Sequence, residues 1–197
     1  MIVIGLTGSI GMGKSAVSAM FRQLHVPVFD ADAVVHELQG PQGALLQSIE
    51  AQFPDTTGTQ GVDRQKLSAA VLDKPEALAV LERIVHPAVA KRRETFLKRH
   101  RARHMVVLDI PLLLEKKSWQ QVDLVLVVSA PAWIQRRRVL ARHNMTPAKF
   151  RAILKVQIAD HIKRRVADIV IETARPRNAT RAAIRQLVAC IKAKRTR

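Results

Sequence analysis

The chain has 197 residues, 48% of them apolar, with 33 Lys or Arg against 16 Asp or Glu for a formal net charge of +17. That size fits one α/β domain with room for an inserted subdomain, and the apolar share excludes wholesale disorder. No run reaches the roughly 18 apolar residues of a membrane span, no basic stretch of a signal peptide opens the chain, and a single cysteine, Cys190, excludes a disulfide framework, so a soluble cytoplasmic protein is expected.

Ile2–Thr7 is apolar and β-branched, the pattern of a buried strand. Ser15–Leu24 then reads as a helix, with Val17, Met20, Phe21 and Leu24 on one face. Pro27–Asp30 is a second strand. Further on, Phe53 to Gly61 is a loop by composition, and helices are expected over Asp63–Leu72 and Pro75–Val85. His86-Pro87 signals a helix end, after which another helix runs from about Pro87 to His100. Met105–Ile110 and Asp123–Ser129 are the next two strands. Pro131 suits the first turn of a helix, with Ser129 nearby as a candidate cap, and Thr146-Pro147 repeats that signal for a helix reaching Arg165. Asp168–Glu172 is the fifth strand, and Asn178 is a candidate cap for a last helix ending near Lys194. Strands alternating with helices imply a parallel sheet with right-handed crossovers. The segments about 33–90 and 140–150 are the expected mobile parts.

The turn between the first strand and its helix is Gly8-Ser9-Ile10-Gly11-Met12-Gly13-Lys14-Ser15, an ungapped match to G-x-x-x-x-G-K-[ST]. Its glycines let backbone N–H groups face inward around a phosphate, and the following helix adds its N-terminal dipole. Lys14 suits the β- and γ-phosphates of a nucleoside triphosphate, and the Ser15 hydroxyl suits Mg²⁺. Gly11-Met12-Gly13 is not a dinucleotide fingerprint, because the third glycine of that pattern falls on Ala16. With no guanine-reading tetrapeptide and no length left for a motor or helicase module, a small-molecule kinase is favoured.

Acidic residues stand where such a sheet presents ligands, at the carboxyl ends of strands. Asp30-Ala31-Asp32 ends the second strand; one carboxylate there can accept a proton from an acceptor hydroxyl or hold a Mg²⁺-bound water, or Asp32 can simply cap the next helix. Asp109 ends the apolar run Met105–Leu108 and resembles the strand-end acid that holds Mg²⁺ water in phosphate-loop enzymes.

Charge is uneven: residues 1–90 carry 6 basic and 9 acidic side chains, residues 91–197 carry 27 and 7. The basic excess lies in Lys91–Arg103, Arg136–Arg165 and Arg175–Arg197, and nucleic acid is the first partner class such a half suggests. Against that, no Tyr, five Phe and two Trp leave little surface on which to stack bases. Nucleic-acid binding is therefore not expected as the main function. A nucleotide kinase on the same fold, and a nucleic-acid binder that uses ATP as a switch, remain the alternatives.

Together, Gly5 to Ser15, Asp30-Ala31-Asp32, His86-Pro87 and Asp109-Ile110-Pro111-Leu112-Leu113-Leu114-Glu115 resemble the dephospho-CoA kinase family. Gln135 to Arg138, Arg142, Gln157 and Ala167–Ile171 follow in the family's order, so the resemblance runs to about residue 173. It implies a phosphate-loop kinase fold: a five-stranded parallel sheet flanked by helices, a core of about 1–32 and 101–197, a helical CoA-binding region of about 33–100 and a lid of about 136–165. It also implies ATP-dependent phosphorylation of the ribose 3′-hydroxyl of dephospho-CoA, with Mg²⁺. Asp32 would be the base, Lys14 and Arg138 the catalytic cations, and Arg142 a second lid arginine, sharing a helix face with Arg138 at i and i+4. Gly8, Gly11, Met12, Gly13, Lys14, Ser15 and Ala16 would hold ATP, with Ser15 and Asp109 on the metal. Thr7, Asp30, His86, Pro111 and Leu112 would line the substrate side, and Glu115 would contact substrate or cap a helix. The sequence departs from the family at Ala16 and Met12, at His36 in place of an arginine, and at Glu172-Thr173-Ala174-Arg175 after the last strand. The last departure places the adenine-side loop in question.

Overall fold

Alternate residues of one strand divide the core of the molecule. In the computed structural model, which describes residues 1–194, Leu126 and Val128 face one apolar cluster and Val125 and Val127 the other. A parallel strand buried on both faces reads as a continuous apolar run, which is why Leu124 to Val128 shows no alternation in sequence.

The elements are β1 (Ile2–Thr7), α1 (Lys14–Gln23), β2 (Val28–Asp30), α2 (Ala31–Leu38), α3 (Leu46–Gln52), β3 (Thr57–Gly58), β4 (Gly61–Val62), α4 (Arg64–Val71) and α5 (Pro75–Arg99). They continue with β5 (Met105–Asp109), a short 3₁₀ helix (Ser118–Gln121), β6 (Leu124–Ser129), α6 (Ala132–Leu140), α7 (Pro147–Val156), α8 (Asp160–Val166), β7 (Ile169–Glu172) and α9 (Arg177–Lys194). Two compact units result: residues 1–29 with those from His100 onward, and Asp30–Arg99. Among the described residues no helix is long and apolar enough to cross a membrane.

The main sheet has the order β2-β5-β1-β6-β7. β1 pairs in parallel with β5, from Ile2 opposite Met105 to Leu6 opposite Asp109, and with β6, from Ile4 opposite Leu124 to Thr7 opposite Val127. β1 is thus central, with β5 and β6 on its two sides, and its carboxyl end opens at the crevice where open α/β sheets bind ligands. One face is covered by Val17, Met20 and Phe21 of α1 with Ile184, Val188 and Ile191 of α9. Each such fully buried side chain contributes about 1.5–3 kcal/mol by leaving water.

The Asp30–Arg99 unit closes around Leu38, Ile49, Phe53 and Leu67. α5 lays Ala77, Val80, Leu81, Ile84, Val85, Ala88 and Val89 against them, a helical stripe. This helix passes through Pro87 without ending, contrary to the expected break at His86-Pro87. A proline inside a helix costs about 3 kcal/mol, but here Pro87 is exposed and the apolar stripe packs on both sides of it. The Phe53–Gly61 stretch, expected as loop, holds the β3–β4 hairpin, stapled by Glu50, which accepts from Asp55 N, Thr57 N and Thr57 Oγ1. Those three donors favour the charged carboxylate, and the Thr57 hydroxyl leads in holding Glu50 below the usual glutamate range.

The expected single helix from Thr146 to Arg165 is two, α7 and α8, parted at Gln157-Ile158-Ala159. Thr146 caps the first by accepting from Lys149 N. Ser129 caps no helix; its Oγ donates to Asp160 Oδ2 at 2.6 Å. Asn178 lies inside α9 rather than before it. Residues 195–197 of the basic C-terminal block lie outside the described residues.

Candidate active site

The loop that follows β1 is built by backbone geometry first. Gly11 and Gly13 take φ of 78° and 91°, a region open to glycine, so the chain curls into an anion-binding concavity at the start of α1. The curl is also tightly fenced. A Cβ on Gly11 would sit 2.4 Å from Val139 Cγ2 of α6, and one on Gly13 would sit 3.0 Å from Thr173 Oγ1. Gly8 lies against Val128 so closely that a Cβ would fall 2.3 Å from its Cγ2.

Met12 has its side chain in the core, 2% exposed, with Sδ accepting from Ala130 N at 3.1 Å. It anchors the loop from beneath. Ser15 and Ala16 are exposed in the first turn of α1, and Lys14 reaches back across the loop. Its Nζ lies 2.5 Å from Asp109 Oδ1. The register explains the meeting: Asp109 stands opposite Leu6, one step from the end of β1, so the β5 carboxylate reaches the root of the loop. Asp109 is 2% exposed, and a carboxylate so buried needs a cation beside it.

Ser15 and Asp109 offer a hydroxyl and a carboxylate oxygen, the hard donors Mg²⁺ prefers when substrate phosphates supply the rest. Among the described residues no group of three or more His, Cys, Asp or Glu could hold a metal. Those two oxygens would fill only part of the coordination shell of such an ion.

Thr7 is fully buried, and its hydroxyl donates to Pro111 O at 2.9 Å. It ties the Pro111-Leu112 segment to β1. Glu115 caps no helix: Oε1 accepts from Ile158 N and lies 2.7 Å from the fully buried Lys163 Nζ. This fastens the turn between α7 and α8 to the segment after β5.

Arg138 and Arg142 do not share a helix face. α6 ends at Leu140, and Arg142 stands beyond its cap in an exposed turn, its N–H donating to Val139 O. The i, i+4 argument fails because the helix stops short. Arg138 turns to the loop, its Nη1 donating to Thr173 Oγ1 at 2.9 Å and Nη2 to Thr173 O at 2.6 Å.

Three further residues touch the loop without a motif of their own. Gln135 Nε2 donates to Ile10 O at 2.9 Å, and Gln157 Oε1 accepts from Ile10 N at 3.1 Å. Thr173 donates to Met12 O at 2.6 Å. Their signal in sequence was position alone: Gln135 and Gln157 among the resembling residues, Thr173 among the departures.

In the Asp30–Arg99 unit, the cap of α2 is Asp30 and not Asp32: Asp30 Oδ1 accepts from Ala33 N at 3.1 Å. Asp32 stands exposed in the first turn of that helix. His36 has Arg64 Nη2 against its Nδ1. His86 is exposed on α5.

A family model described as dephospho-CoA kinase matches residues 2–177. The chain is 55% identical over 195 residues to a dephospho-CoA kinase of Novosphingobium aromaticivorans, covering 99% of this chain and 97% of that one. It is 50% identical over 191 residues to one from Zymomonas mobilis, covering 97% of each. A crystal structure from Thermus thermophilus superposes with a TM-score of 0.84 at 32% identity, over 95% of this chain and 96% of that chain.

Proposed function

Since the chain belongs to the dephospho-CoA kinase family and phosphorylates dephospho-CoA to CoA, we propose a division of labour among its residues. ATP places its phosphates in the loop Gly8–Ser15, on the backbone of Gly11, Met12 and Gly13, with that of Ala16 next to it in α1. The observation that carries this is the fenced concavity itself, with positive φ at Gly11 and Gly13 and Lys14 across it.

The acceptor is the ribose 3′-hydroxyl. Asp32, in the first turn of α2, takes its proton as the oxygen bonds to the γ-phosphorus and ADP departs. Lys14 neutralises the β- and γ-phosphates and Arg138 the charge that builds during transfer. Arg142, exposed beyond α6, reaches the donor from the lid, about 136–165. Ser15 and Asp109 would hold Mg²⁺, which would supply positive charge against that of the donor. Pro111 and Leu112 line the substrate side, Thr7 holding them there through Pro111 O. Asp30, by capping α2, sets the helix that carries Asp32. His86 contributes on the face of α5 in the helical region of about 33–100. The reaction runs in the cytoplasm.

A coupled ADP-release assay tests this, with dephospho-CoA beside AMP, CMP, shikimate and pantothenate. Turnover with dephospho-CoA alone supports it; turnover with only a nucleotide acceptor overturns it. Tight nucleic-acid binding with steep salt dependence, and no acceptor turnover, would assign the basic half a different role.

A further inference from the structure

Thr173 stands one residue past the end of β7, and its backbone N–H donates to Ser129 O at 2.9 Å, extending the β6–β7 ladder by one rung. The rung fixes its side chain, which is 7% exposed, beneath the phosphate loop. The hydroxyl has one proton and two acceptors within reach, Met12 O at 2.6 Å and Ser129 O at 3.4 Å. The shorter contact takes the proton. Its lone pairs are left to accept, and Arg138 Nη1 donates there at 2.9 Å while Nη2 grips the carbonyl of the same residue.

This joins two requirements of the site. In an anion-binding turn the N–H groups face the anion only if the intervening carbonyls are turned away and satisfied elsewhere. Thr173 satisfies that of Met12, between the two left-handed glycines. The guanidinium of a flexible arginine, for its part, must be held in place before transfer to contribute without loss of orientation entropy. Thr173 holds it by two hydrogen bonds, beside Gly11 O, which lies 3.5 Å from Nη1. The one hydroxyl serves both, and the carbonyl of the same residue supplies the second bond to Arg138.

We propose that Thr173 is a positioning residue for phosphoryl transfer: its hydroxyl turns the Met12 carbonyl out of the phosphate nest and seats Arg138 at its edge. The inference rests on the reading that ATP occupies this loop, and wild-type turnover tests that reading by itself. Thr173→Val keeps the shape and removes the hydroxyl; Thr173→Ser keeps the hydroxyl and removes a methyl. The Val variant should raise KM for ATP and lower kcat, together about 10–100-fold in kcat/KM, with KM for dephospho-CoA unchanged. The Ser variant should return to within about 3-fold of wild type, which lost packing alone would not allow. In the Val background, Arg138→Met should cost much less than in wild type, because one network is already broken.

A folded Val variant with wild-type kcat and KM for ATP would overturn the proposal. So would a Ser variant as impaired as the Val variant, or full additivity with Arg138→Met. Should the Val variant fail to fold, Thr173→Ala and Thr173→Ser carry the same comparison: equal kinetics for the two would overturn the proposal, and loss in Ala alone would support it.

Discussion

Lys14 Nζ and Asp109 Oδ1 lie 2.5 Å apart, so the buried carboxylate at the end of β5 holds the same ammonium that the proposed function assigns to the phosphates of ATP. The pair has two roles that substitution can separate. Lys14→Ala should abolish most turnover and also leave Asp109 without its cation, destabilising the fold by about 1–3 kcal/mol. Adding Asp109→Asn should recover much of that stability and none of the turnover. Thermal unfolding and ADP release on wild type and the two variants decide it. Near-wild-type turnover in a folded Lys14→Ala protein would remove Lys14 from the chemistry.

Asp30 caps α2, and Asp32, two positions on, stands exposed in its first turn, so the two are proposed to differ in task. Asp32→Asn should lower kcat by about 10²-fold or more, the usual size for a lost proton acceptor, with little change in KM for ATP. Asp30→Asn should be mild, because asparagine caps a helix as well as aspartate does. The reverse pattern in steady-state kinetics would exchange the two assignments.

Ile10 is held from both sides, by Gln157 at its N–H and Gln135 at its carbonyl. Gln157→Ala removes one acceptor from the loop and should raise KM for ATP several-fold, about 1 kcal/mol, leaving KM for dephospho-CoA alone. An unchanged KM for ATP would show that the loop keeps its shape without this clamp.

The Glu115–Lys163 pair is buried, Lys163 fully. Lys163→Met leaves the carboxylate without a cation and should cost about 3–5 kcal/mol in urea unfolding, while Glu115→Gln with Lys163→Met should recover part of it. A single variant within about 0.5 kcal/mol of wild type would mean the pair is not what secures the α7–α8 turn.

Glu50 gives the Asp30–Arg99 unit an acid-sensitive staple. Its folded pKa is lowered, chiefly by the Thr57 hydroxyl, so the carboxylate adds stability above the ordinary glutamate range. That stability is lost as pH falls through the lowered folded value. Glu50→Gln keeps one acceptor oxygen where three donors converge, so it should be less stable at about pH 7 and show a shallower loss as pH falls below the ordinary glutamate range. An acid unfolding curve of wild-type steepness would exclude Glu50 as a contributor.

The sequence by itself determines what depends on local pattern. Five apolar β-branched runs read as strands because a strand buried on both faces has no polar alternation, and the structure holds a strand at each. The phosphate loop is legible because glycine adopts the φ of 78° and 91° found at Gly11 and Gly13 without the strain that side chains meet there. Family resemblance extends from that loop through Asp30-Ala31-Asp32 and Asp109 because those residues stand at strand ends, where spacing along the chain tracks position in space.

Tertiary contact decides the rest. Pro87 reads as a helix end by local propensity, yet packing of Ile84, Val85, Ala88 and Val89 carries α5 through it. Arg138 and Arg142 read as one helix face, yet α6 stops at Leu140, and only Arg138 turns to the loop. Gln135, Gln157 and Thr173 have no local signature, because a side chain that satisfies a backbone group on the phosphate loop is chosen by where β7, α6 and α7 bring it. Their partners lie 125, 147 and 161 residues away in the chain. Hydrogen bonds closed over that separation depend on strand order and register, which no short window of sequence contains.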